Sequence, residues 1–315
     1  MSNKMKLHLL VNEIAGNGQG KKSFSELVQL LVDANINFDF QKSTYAGELI
    51  KLAQDYSNQK HAPSDVLLII GGDGSLNEVL NGIKRSANPE TPFAYLPAGT
   101  GNDFARATKL TSNPEKLLAS LQKDLIPKQI DCGQFQLAGY KDQTSYFANS
   151  FGIGFDAYVN HFSNHSKLKE MLNKINEGKL IYGANILRAL RRQNTFSVEV
   201  RSATNKMQFD DAFLVTTTNH PYFGGGFPLL PSAKITSHRI DAIVIEKFSI
   251  PKLINLLYHL LKDGSHVNDP QFHYIEAKEI IVKTEQKEFA QVDGEEIYQR
   301  PFNLKLKVSH FNLLK

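Results

Sequence analysis

Length, composition and charge restrict the protein to few classes. Its 315 residues are enough for two compact domains, and 41% hydrophobic with 22% charged residues are the proportions of an ordinary globular protein. A net charge of +4 is too small to predict nucleic-acid binding, and the single cysteine, Cys132, excludes an intramolecular disulfide. The longest apolar run, Val66 to Ile70, is far below the ~18 residues of a membrane span. A cytoplasmic protein is therefore expected.

The first half of the chain alternates predicted strands with predicted helices, which is the pattern of a parallel sheet flanked by helices. Apolar runs indicate the strands and helical periodicity indicates the helices. The predicted strands are Lys6–Val11, Phe38–Gln41, Val66–Ile70 and Phe93–Leu96, and the predicted helices are Ser23–Ala34, Gly47–Tyr56, Ser75–Ile83 and Pro114–Lys123. Glycine-rich loops follow three of these strands.

The second half is richer in strands. We predict a domain boundary near Ile126–Gln129, marked by Pro127. Helical insertions are predicted at roughly Phe155–Ile175, Leu180–Arg192 and Pro251–Leu261, the last capped by Ser249. The predicted strands are Tyr146–Phe151, Phe196–Arg201, Ala212–Thr218, Ile240–Glu246, Glu279–Thr284 and Asn303–Val308.

A glycine-rich turn directly follows the most apolar predicted strand, with the sequence Gly71-Gly72-Asp73-Gly74-Ser75. It leads into a helix, whose N-terminus offers free N–H groups and a partial positive charge that together bind phosphate. Asp73 would repel phosphate unless a Mg²⁺ ion lay between them, so this turn predicts a metal as well. Taken alone, the turn is also explained as a tight connection with Asp73 or Ser75 as N-cap.

Two further loops repeat or approach this arrangement. The segment from Pro97 to Asp103 contains Gly99, Thr100, Gly101 and Asn102 and follows the next strand, where ligands of open α/β sheets bind. The segment Ala15–Lys22 approaches a Walker A motif but lacks its first glycine and its hydroxyl residue. We interpret it as a nonstandard nucleotide-contacting loop, with a plain flexible turn as the alternative.

These residues resemble a known family. Gly71-Gly72-Asp73-Gly74-Ser75-x-Asn77-Glu78 and Leu96-Pro97-x-Gly99-Thr100-x-Asn102-Asp103-Phe104-Ala105-Arg106 are similar to motifs of the soluble bacterial diacylglycerol kinase and lipid kinase family, which is related to sphingosine kinases. Weaker matches are Asn12 with Gly16 and Gly18, Thr44 with Gly47, the segment from Asn149 to Asp156, Asn219 with Gly224-Gly225-Gly226, and Asp293-Gly294-Glu295.

The resemblance implies an α/β fold with two domains. The N-terminal nucleotide-binding domain, residues 1–127, would have a mostly parallel sheet like that of NAD kinases and phosphofructokinases. The lipid-binding domain, residues 128–304, would be β-rich and sandwich-like, and residues 305–315 would return to the first domain. ATP would lie in the cleft between the two.

The resemblance also implies roles for single residues. Asp73 and Asp103 would bind Mg²⁺. Asp293 would be the general base for the lipid hydroxyl, with Glu295 beside it and Asp73 as a further catalytic residue. The residues expected to contact ATP or its metal are Asn12, Gly16, Gly18, Thr44, Gly71, Gly72, Asp73, Gly74, Ser75, Gly99, Thr100 and Asn102.

Several features also have simpler explanations. Asp293-Gly294 is a strong hairpin-turn signal in its own right. Ser237-His238 stands where family members often have Asp-Gly, so we do not expect their structural Mg²⁺ site. Arg188, Arg191 and Arg192 share one side of a predicted helix and face either anionic lipid or solvent. The ten histidines show no metal-ligand spacing and receive no predicted role.

The predicted function is therefore an ATP-dependent lipid kinase that phosphorylates a lipid hydroxyl, with diacylglycerol as the leading acceptor and phosphatidic acid as product. The protein would be cytoplasmic and transiently membrane-associated, with no nucleic-acid partner. The sequence leaves the lipid and a homodimer open. The alternatives are a phosphotransferase similar to NAD kinases and a catalytically silent regulator that binds nucleotide or lipid.

Overall fold

A computed structural model describes residues 5–137, 140–155, 157 and 194–315. Its helices lie mainly in the first half and pack against the parallel part of one large sheet. They are α1 Ala15–Asp33, α2 Glu48–Ser57, α3 Asp73–Lys84, α4 Asp103–Thr108, α5 Pro114–Lys123 and α6 Ile250–Lys262, with a 3₁₀ helix at Ser265–Asn268.

The strands form a 15-stranded sheet and a small two-stranded sheet in the described part of the chain. In chain order they are β1 Lys6–Val11, β2 Asn37–Lys42, β3 Asp65–Gly71, β4 Phe93–Pro97, β5 Lys128–Leu137, β6 Tyr140–Phe147, β7 Ser150–Gly154, β8 Phe196–Arg201, β9 Lys206–Thr218, β10 Tyr222–Phe223, β11 Phe227–Pro228, β12 Ile240–Glu246, β13 Phe272–Ala277, β14 Glu279–Thr284, β15 Glu288–Val292, β16 Glu295–Arg300 and β17 Asn303–Leu314.

The first half contains a parallel sheet in the order β2-β1-β3-β4. Leu9 of β1 aligns with Phe40 and Leu68 on its two neighbours. Side chains of β1 and β3 are buried on both faces, one under α1 and α5 and the other under α2 and α3, as expected for a parallel sheet covered by helices. The carboxyl ends of these strands share one edge, which carries the glycine-rich loops.

The second half is antiparallel, in the order β16-β15-β7-β9-β8-β14-β17. Its core is rich in phenylalanine, and the rings of Phe135 and Phe151 meet edge to face at 5.0 Å. The long strand β17 joins the two halves, since it pairs antiparallel with β14 and its last residues pair in parallel with β4. The predicted α/β fold with a mostly parallel first sheet and a β-rich second half is thus confirmed.

Most predicted elements of the first half are confirmed within one or two residues, whereas some of the second are wrong or missing. The predicted strand Tyr146–Phe151 is two strands, because the N–H groups of Ala148, Asn149 and Ser150 turn away to a side chain. Ser249 precedes α6 but makes no capping bond. The unpredicted elements are α4, β5, β10, β11, β13, β15, β16 and the 3₁₀ helix.

Helix α1 begins eight residues before the predicted Ser23, and its kinked first turn contains the Walker-like loop. The two predicted helical insertions between Phe155 and Arg192, with their arginines, lie almost wholly outside the described residues. Within the part of the chain that the structure describes, no helix has the length and apolar character needed to cross a bilayer.

Candidate active site

The turn after β3 leaves no room for a side chain at some of its glycine positions. A Cβ on Gly71 would lie 2.4 Å from the Ser75 hydroxyl, and one on Gly99 would lie 2.6 Å from the Gly72 Cα. The loops after β3 and β4 therefore touch through bare backbone. Gly74 differs, because a Cβ added there would meet nothing within 4 Å, so its face of the helix start is open.

Asp73 is the first residue of α3, and its two carboxylate oxygens differ. Oδ2 accepts a hydrogen bond from the Asp103 backbone N–H at 3.2 Å, whereas Oδ1 is buried and has no hydrogen-bond partner within the described part of the chain. Burial raises the pKa of Asp73, and the charge of Asp103 raises it further. A buried, unpartnered carboxylate oxygen beside a second acid suits a hard divalent cation such as Mg²⁺.

In the second loop, two polar side chains form hydrogen bonds to other groups of the protein. Asn102 has a left-handed φ of 51°, and its amide bonds both the N–H and the C=O of Gly99, at 2.9 and 2.8 Å. Asp103 accepts from Arg106 and from the Gly225 N–H, both at 2.8 Å. These bonds hold the loop in shape and tie α4 to the second half of the chain.

The Walker-like loop packs against the other two. A Cβ on Gly16, where φ is 58°, would lie 2.3 Å from the Ala98 carbonyl oxygen. Asn12 donates a hydrogen bond to the Ser75 hydroxyl at 3.1 Å. The structure thus brings together the three predicted glycine loops at one edge of the parallel sheet.

Other predicted nucleotide contacts lie differently. Thr44 is exposed, and both its N–H and its hydroxyl donate to the carboxylate of Glu48, the first residue of α2. Thr100 is exposed on the second loop, and Gly18 is exposed with a φ of 92°. All roles assigned to these residues toward ATP remain predictions.

Asp293 begins the two-residue turn between β15 and β16. Both Asp293 and Gly294 have positive φ, at 47° and 88°, so the predicted hairpin turn is present. The Asp293 carboxylate also accepts four hydrogen bonds from the start of the neighbouring strand β7 and from α3. Oδ1 accepts from the N–H groups of Asn149 and Ser150, both at 2.9 Å, and Oδ2 accepts from the Ala148 N–H and the Asn77 amide, both at 2.7 Å.

Burial raises the pKa of Asp293 to about 6, and the four donors oppose this rise. Such a value suits a group that must be ionised near neutral pH and still take up a proton. Glu295 is exposed on β16, and its charge adds to the effect of burial in raising the pKa of Glu78 on α3. The carboxylates of the hairpin therefore face the helix that begins at Asp73.

Two family models match the chain over nearly its whole length. The diacylglycerol kinase catalytic domain matches residues 6–135, and the YegS C-terminal NAD kinase beta sandwich-like domain matches residues 149–315, more than half of the chain. The chain belongs to the diacylglycerol kinase and lipid kinase family. It is therefore a kinase, and its family implies ATP as a substrate and commonly a divalent metal.

Relatives of this lipid kinase carry the same description. It is 28% identical over 94% of both chains to YtlR of Bacillus subtilis, which is provisionally described as a lipid kinase. It is 27% identical to a diacylglycerol kinase of the same organism, over 91% of this chain and 88% of the relative.

Solved structures share the fold. A Bacillus anthracis protein provisionally described as a diacylglycerol kinase superposes with a TM-score of 0.75, at 23% identity, over 100% of this chain and 96% of the other. Yeast NADH kinase, solved with NADH, reaches a TM-score of 0.52 at 12% identity, over 99% and 84% of the two chains. At these identities the likeness shows the fold alone.

Sequence reasoning missed the polar residues beside Asp73. The Asn149 side chain opposes the rise in the pKa of Asp73, and the Asn149 Oδ1 lies 2.9 Å from the Nε2 of His220. His220 is fully buried, and its Nδ1 accepts from the Tyr222 N–H, so the proton of the neutral ring lies on Nε2 and is donated to Asn149. Burial lowers the pKa of His220 to about 4, which keeps this arrangement neutral. Asn149 belongs to a motif of the resemblance, but no local signal connects it to His220.

The loop that contains Ser237 and His238 is anchored to a buried acid. Asp131 is buried beneath it and accepts from the His238 N–H at 2.6 Å. The His238 ring lies 3.1 Å from the other oxygen of Asp131, and the Asn219 amide donates to the Asp131 carbonyl. Protein donors thus surround Asp131.

Proposed function

We propose that this lipid kinase transfers the γ-phosphoryl group of ATP to the hydroxyl of diacylglycerol and forms phosphatidic acid. The observation that carries the proposal is the 2.7 Å hydrogen bond between Asn77 and Asp293. Asn77 lies four residues after Asp73 on α3, about 6 Å along the helix axis. A carboxylate is therefore held about one helical turn from the helix start that would bind phosphate.

The glycine loops and the N-terminus of α3 would hold the phosphates of ATP through backbone N–H groups. Asp73 would hold Mg²⁺ through Oδ1, and the bound ion would neutralise charge on the transferred phosphoryl group. Asn149, oriented by His220, would keep Asp73 in position. Thr100 and Asn12 border the same edge.

Asp293 would accept the proton of the lipid hydroxyl as phosphoryl transfer proceeds. A carboxylate has about four acceptor positions, and the protein fills all four. Three donors are backbone N–H groups of the segment from Ala148 to Ser150, whereas Asn77 is a side chain whose amide also donates to the Tyr146 carbonyl at 3.0 Å and would keep this partner on leaving Oδ2. We infer that the substrate hydroxyl replaces Asn77 at Oδ2, so Asn77 holds the base until an acceptor arrives.

An apolar cavity supports a lipid acceptor. It has a volume of about 130 Å³ between α6 and the strands β9 and β12, and its lining includes Phe155, Leu214, Leu229 and Leu260. Strand β7 starts at Ser150, which bonds Asp293, and ends next to Phe155 in the cavity wall. Five residues of extended chain span about 17 Å, a distance that suits a head group at Asp293 and an acyl chain in the cavity.

The outer face of α6 supports action at a membrane surface. Ile254, Tyr258 and Leu261 are 63%, 55% and 67% exposed, while Leu253 and Leu256 of the same helix line the cavity. Lys262 lies over the Tyr258 ring at 5.2 Å, so a cation accompanies the apolar face. An interfacial helix of this kind binds anionic bilayers, and α6 would bring the cavity to the lipid.

The reaction is tested by incubating the protein with labelled ATP, Mg²⁺ and single acceptors. Diacylglycerol, phosphatidylglycerol, a sphingoid base and an isoprenoid alcohol would be presented in mixed micelles, and NAD in solution. We expect the largest kcat/KM with diacylglycerol. If another lipid is preferred, the proposed acceptor is wrong. If NAD is preferred, the protein is a phosphotransferase similar to NAD kinases, and if ligands bind without turnover it is a regulator.

The membrane surface is tested by vesicle sedimentation. Ile254→Glu and Leu261→Glu should weaken binding to anionic vesicles by at least about tenfold, and high salt should weaken binding of the wild type. Val32→Glu is the matched control, because Val32 is a 60% exposed aliphatic residue of α1. Equal effects of all three substitutions would reject α6 as the docking face, and a dimer that dissociates in the α6 variants would identify a second copy as its partner.

A further inference from the structure

Three polar side chains meet at the edge of the parallel sheet opposite the glycine loops. His8 lies in the first half of β1, Asp65 is the first residue of β3, and His61 lies in the connection from α2 to β3. One ligand atom from each of the three lies within 4.8 Å of those of the other two. The family motifs and the proposed reaction use none of them.

Hydrogen bonds define which nitrogen of each ring is free. His8 Nδ1 lies 2.8 Å from the Asp39 carboxylate, which can only accept, so Nδ1 carries the proton and Nε2 has a lone pair. That Nε2 is buried, has no hydrogen-bond partner among the residues that the structure describes, and lies 4.0 Å from Asp65 Oδ2. His61 Nε2 lies 2.9 Å from the Tyr56 carbonyl, so its Nδ1 lone pair faces Asp65 Oδ2 at 3.9 Å.

The rings are fixed in these orientations. His61 stacks on Tyr56 at 3.7 Å between ring centres, and His8 lies 5.1 Å from the same ring. Metal-binding histidines usually donate their second N–H to a carboxylate or a backbone carbonyl, as His8 does to Asp39 and His61 does to the Tyr56 carbonyl. The outer contacts of a metal site are therefore already present.

The local charge also favours a cation. Two carboxylates lie beside His8, Asp39 at 2.8 Å from its Nδ1 and Asp65 at 4.0 Å from its Nε2, which makes the local potential negative. Lys6 pairs with Asp39 at 2.8 Å and offsets one of the two carboxylates. The separations of 3.9 and 4.0 Å are too long for hydrogen bonds between a protonated histidine and Asp65.

We propose that His8 Nε2, His61 Nδ1 and Asp65 Oδ2 bind one divalent transition-metal ion, with Zn²⁺ the best fit. Zinc bound at about 2.0–2.1 Å separates its ligand atoms by roughly 3.3 Å, so each histidine must approach Asp65 by about 0.7 Å and the two histidines must approach each other by at most about 1.5 Å. Two imidazoles favour Zn²⁺ or Co²⁺ over Mg²⁺, which distinguishes this site from Asp73. The ion would join β1, β3 and the connection after α2.

The test titrates Co²⁺ into metal-free full-length protein in excess Mg²⁺, which saturates sites built from carboxylates alone. We expect one equivalent of Co²⁺ to give visible ligand-field absorption that Zn²⁺ abolishes. At a hundredfold excess over Kd, Zn²⁺ should raise Tm by about 5 °C. A wild-type protein without these bands or this shift would overturn the proposal.

Variants locate the ion. His61→Gln and Asp65→Asn should each weaken Co²⁺ binding by at least about tenfold and change the spectrum. His310→Gln is the control, because His310 is a part-exposed ring with a single carboxylate, Glu90, at 3.4 Å. Unchanged Co²⁺ spectra in both site variants, each shown to be folded by its metal-free Tm, would reject these ligands.

Discussion

Asp73 begins α3 and Asp293 contacts Asn77 one turn further along the same helix, but the surroundings of these two half-buried carboxylates differ. The Asp293 oxygens accept four hydrogen bonds, whereas one buried oxygen of Asp73 has no partner among the described residues. A carboxylate with all its positions filled is fixed in place, and one with an open position is prepared for a ligand. The difference supports the proposed roles, with Asp293 as the proton acceptor and Asp73 as a metal ligand.

The largest effect is expected at Asp293. Asp293→Asn removes the proton acceptor and should lower kcat by at least about a hundredfold, since general-base catalysis contributes ~10²–10⁴-fold. It also turns an amide N–H₂ toward backbone donors, so Tm should fall as well, at a cost of about 1–3 kcal/mol. Steady-state kinetics and thermal unfolding measure the two effects.

Asn77→Ala is the control for this prediction, because it removes one donor and leaves the carboxylate. If Asn77 only holds the base, the variant should keep kcat within about tenfold of the wild type. A loss as large as that of Asp293→Asn would mean that the position of the carboxylate, rather than its proton affinity, limits the reaction.

The second prediction concerns the open oxygen of Asp73. Asp73→Asn should raise the Mg²⁺ concentration for half-maximal activity by about 10–100-fold. Asp103→Asn should affect Mg²⁺ less and Tm more, because the Asp103 oxygens already bond Arg106 and Gly225. Equal Mg²⁺ dependence in the two variants would contradict the different roles of these acids.

The third prediction is a pH dependence. The pKa of Asp293 is raised to about 6, and only the ionised form can accept a proton. The value of kcat/KM should therefore be constant above about pH 7 and fall about tenfold for each pH unit well below 6. A kcat/KM value that stays constant down to pH 5 would show that Asp293 is not the catalytic base.

The smallest effect is expected at Gly74, whose Cβ direction is open in the protein. Gly74→Ala should leave Tm nearly unchanged and raise the KM for ATP by at least about fivefold, a steric cost of roughly 1 kcal/mol. Gly82→Ala on the same helix should instead lower Tm, because its Cβ would lie 2.2 Å from the Ile50 carbonyl oxygen. Unchanged ATP binding in Gly74→Ala would reject phosphate binding at this turn.

Local sequence determined much of the first half. An apolar run and adjacent glycines predict strand β3 and the turn from Gly71 to Ser75, because burial of a parallel strand and tight turning are properties of neighbouring residues. Helix α5 begins at the predicted Pro114 and is capped by the preceding Asn113 side chain. The family motifs added the expected chemistry.

Only the tertiary structure decided which side chains meet. Asp293 accepts hydrogen bonds from Asn77 and from the backbone of Ala148 to Ser150. Because these backbone groups bond a side chain, the segment predicted as one strand forms two. His8 and His61 lie 53 positions apart in the chain and have no metal-ligand spacing, yet their rings lie 5.2 Å apart. The spacing of apolar residues and the residue types of turns carry information only about neighbours within a few residues. Contacts between distant residues form only when the sheet places their strands side by side.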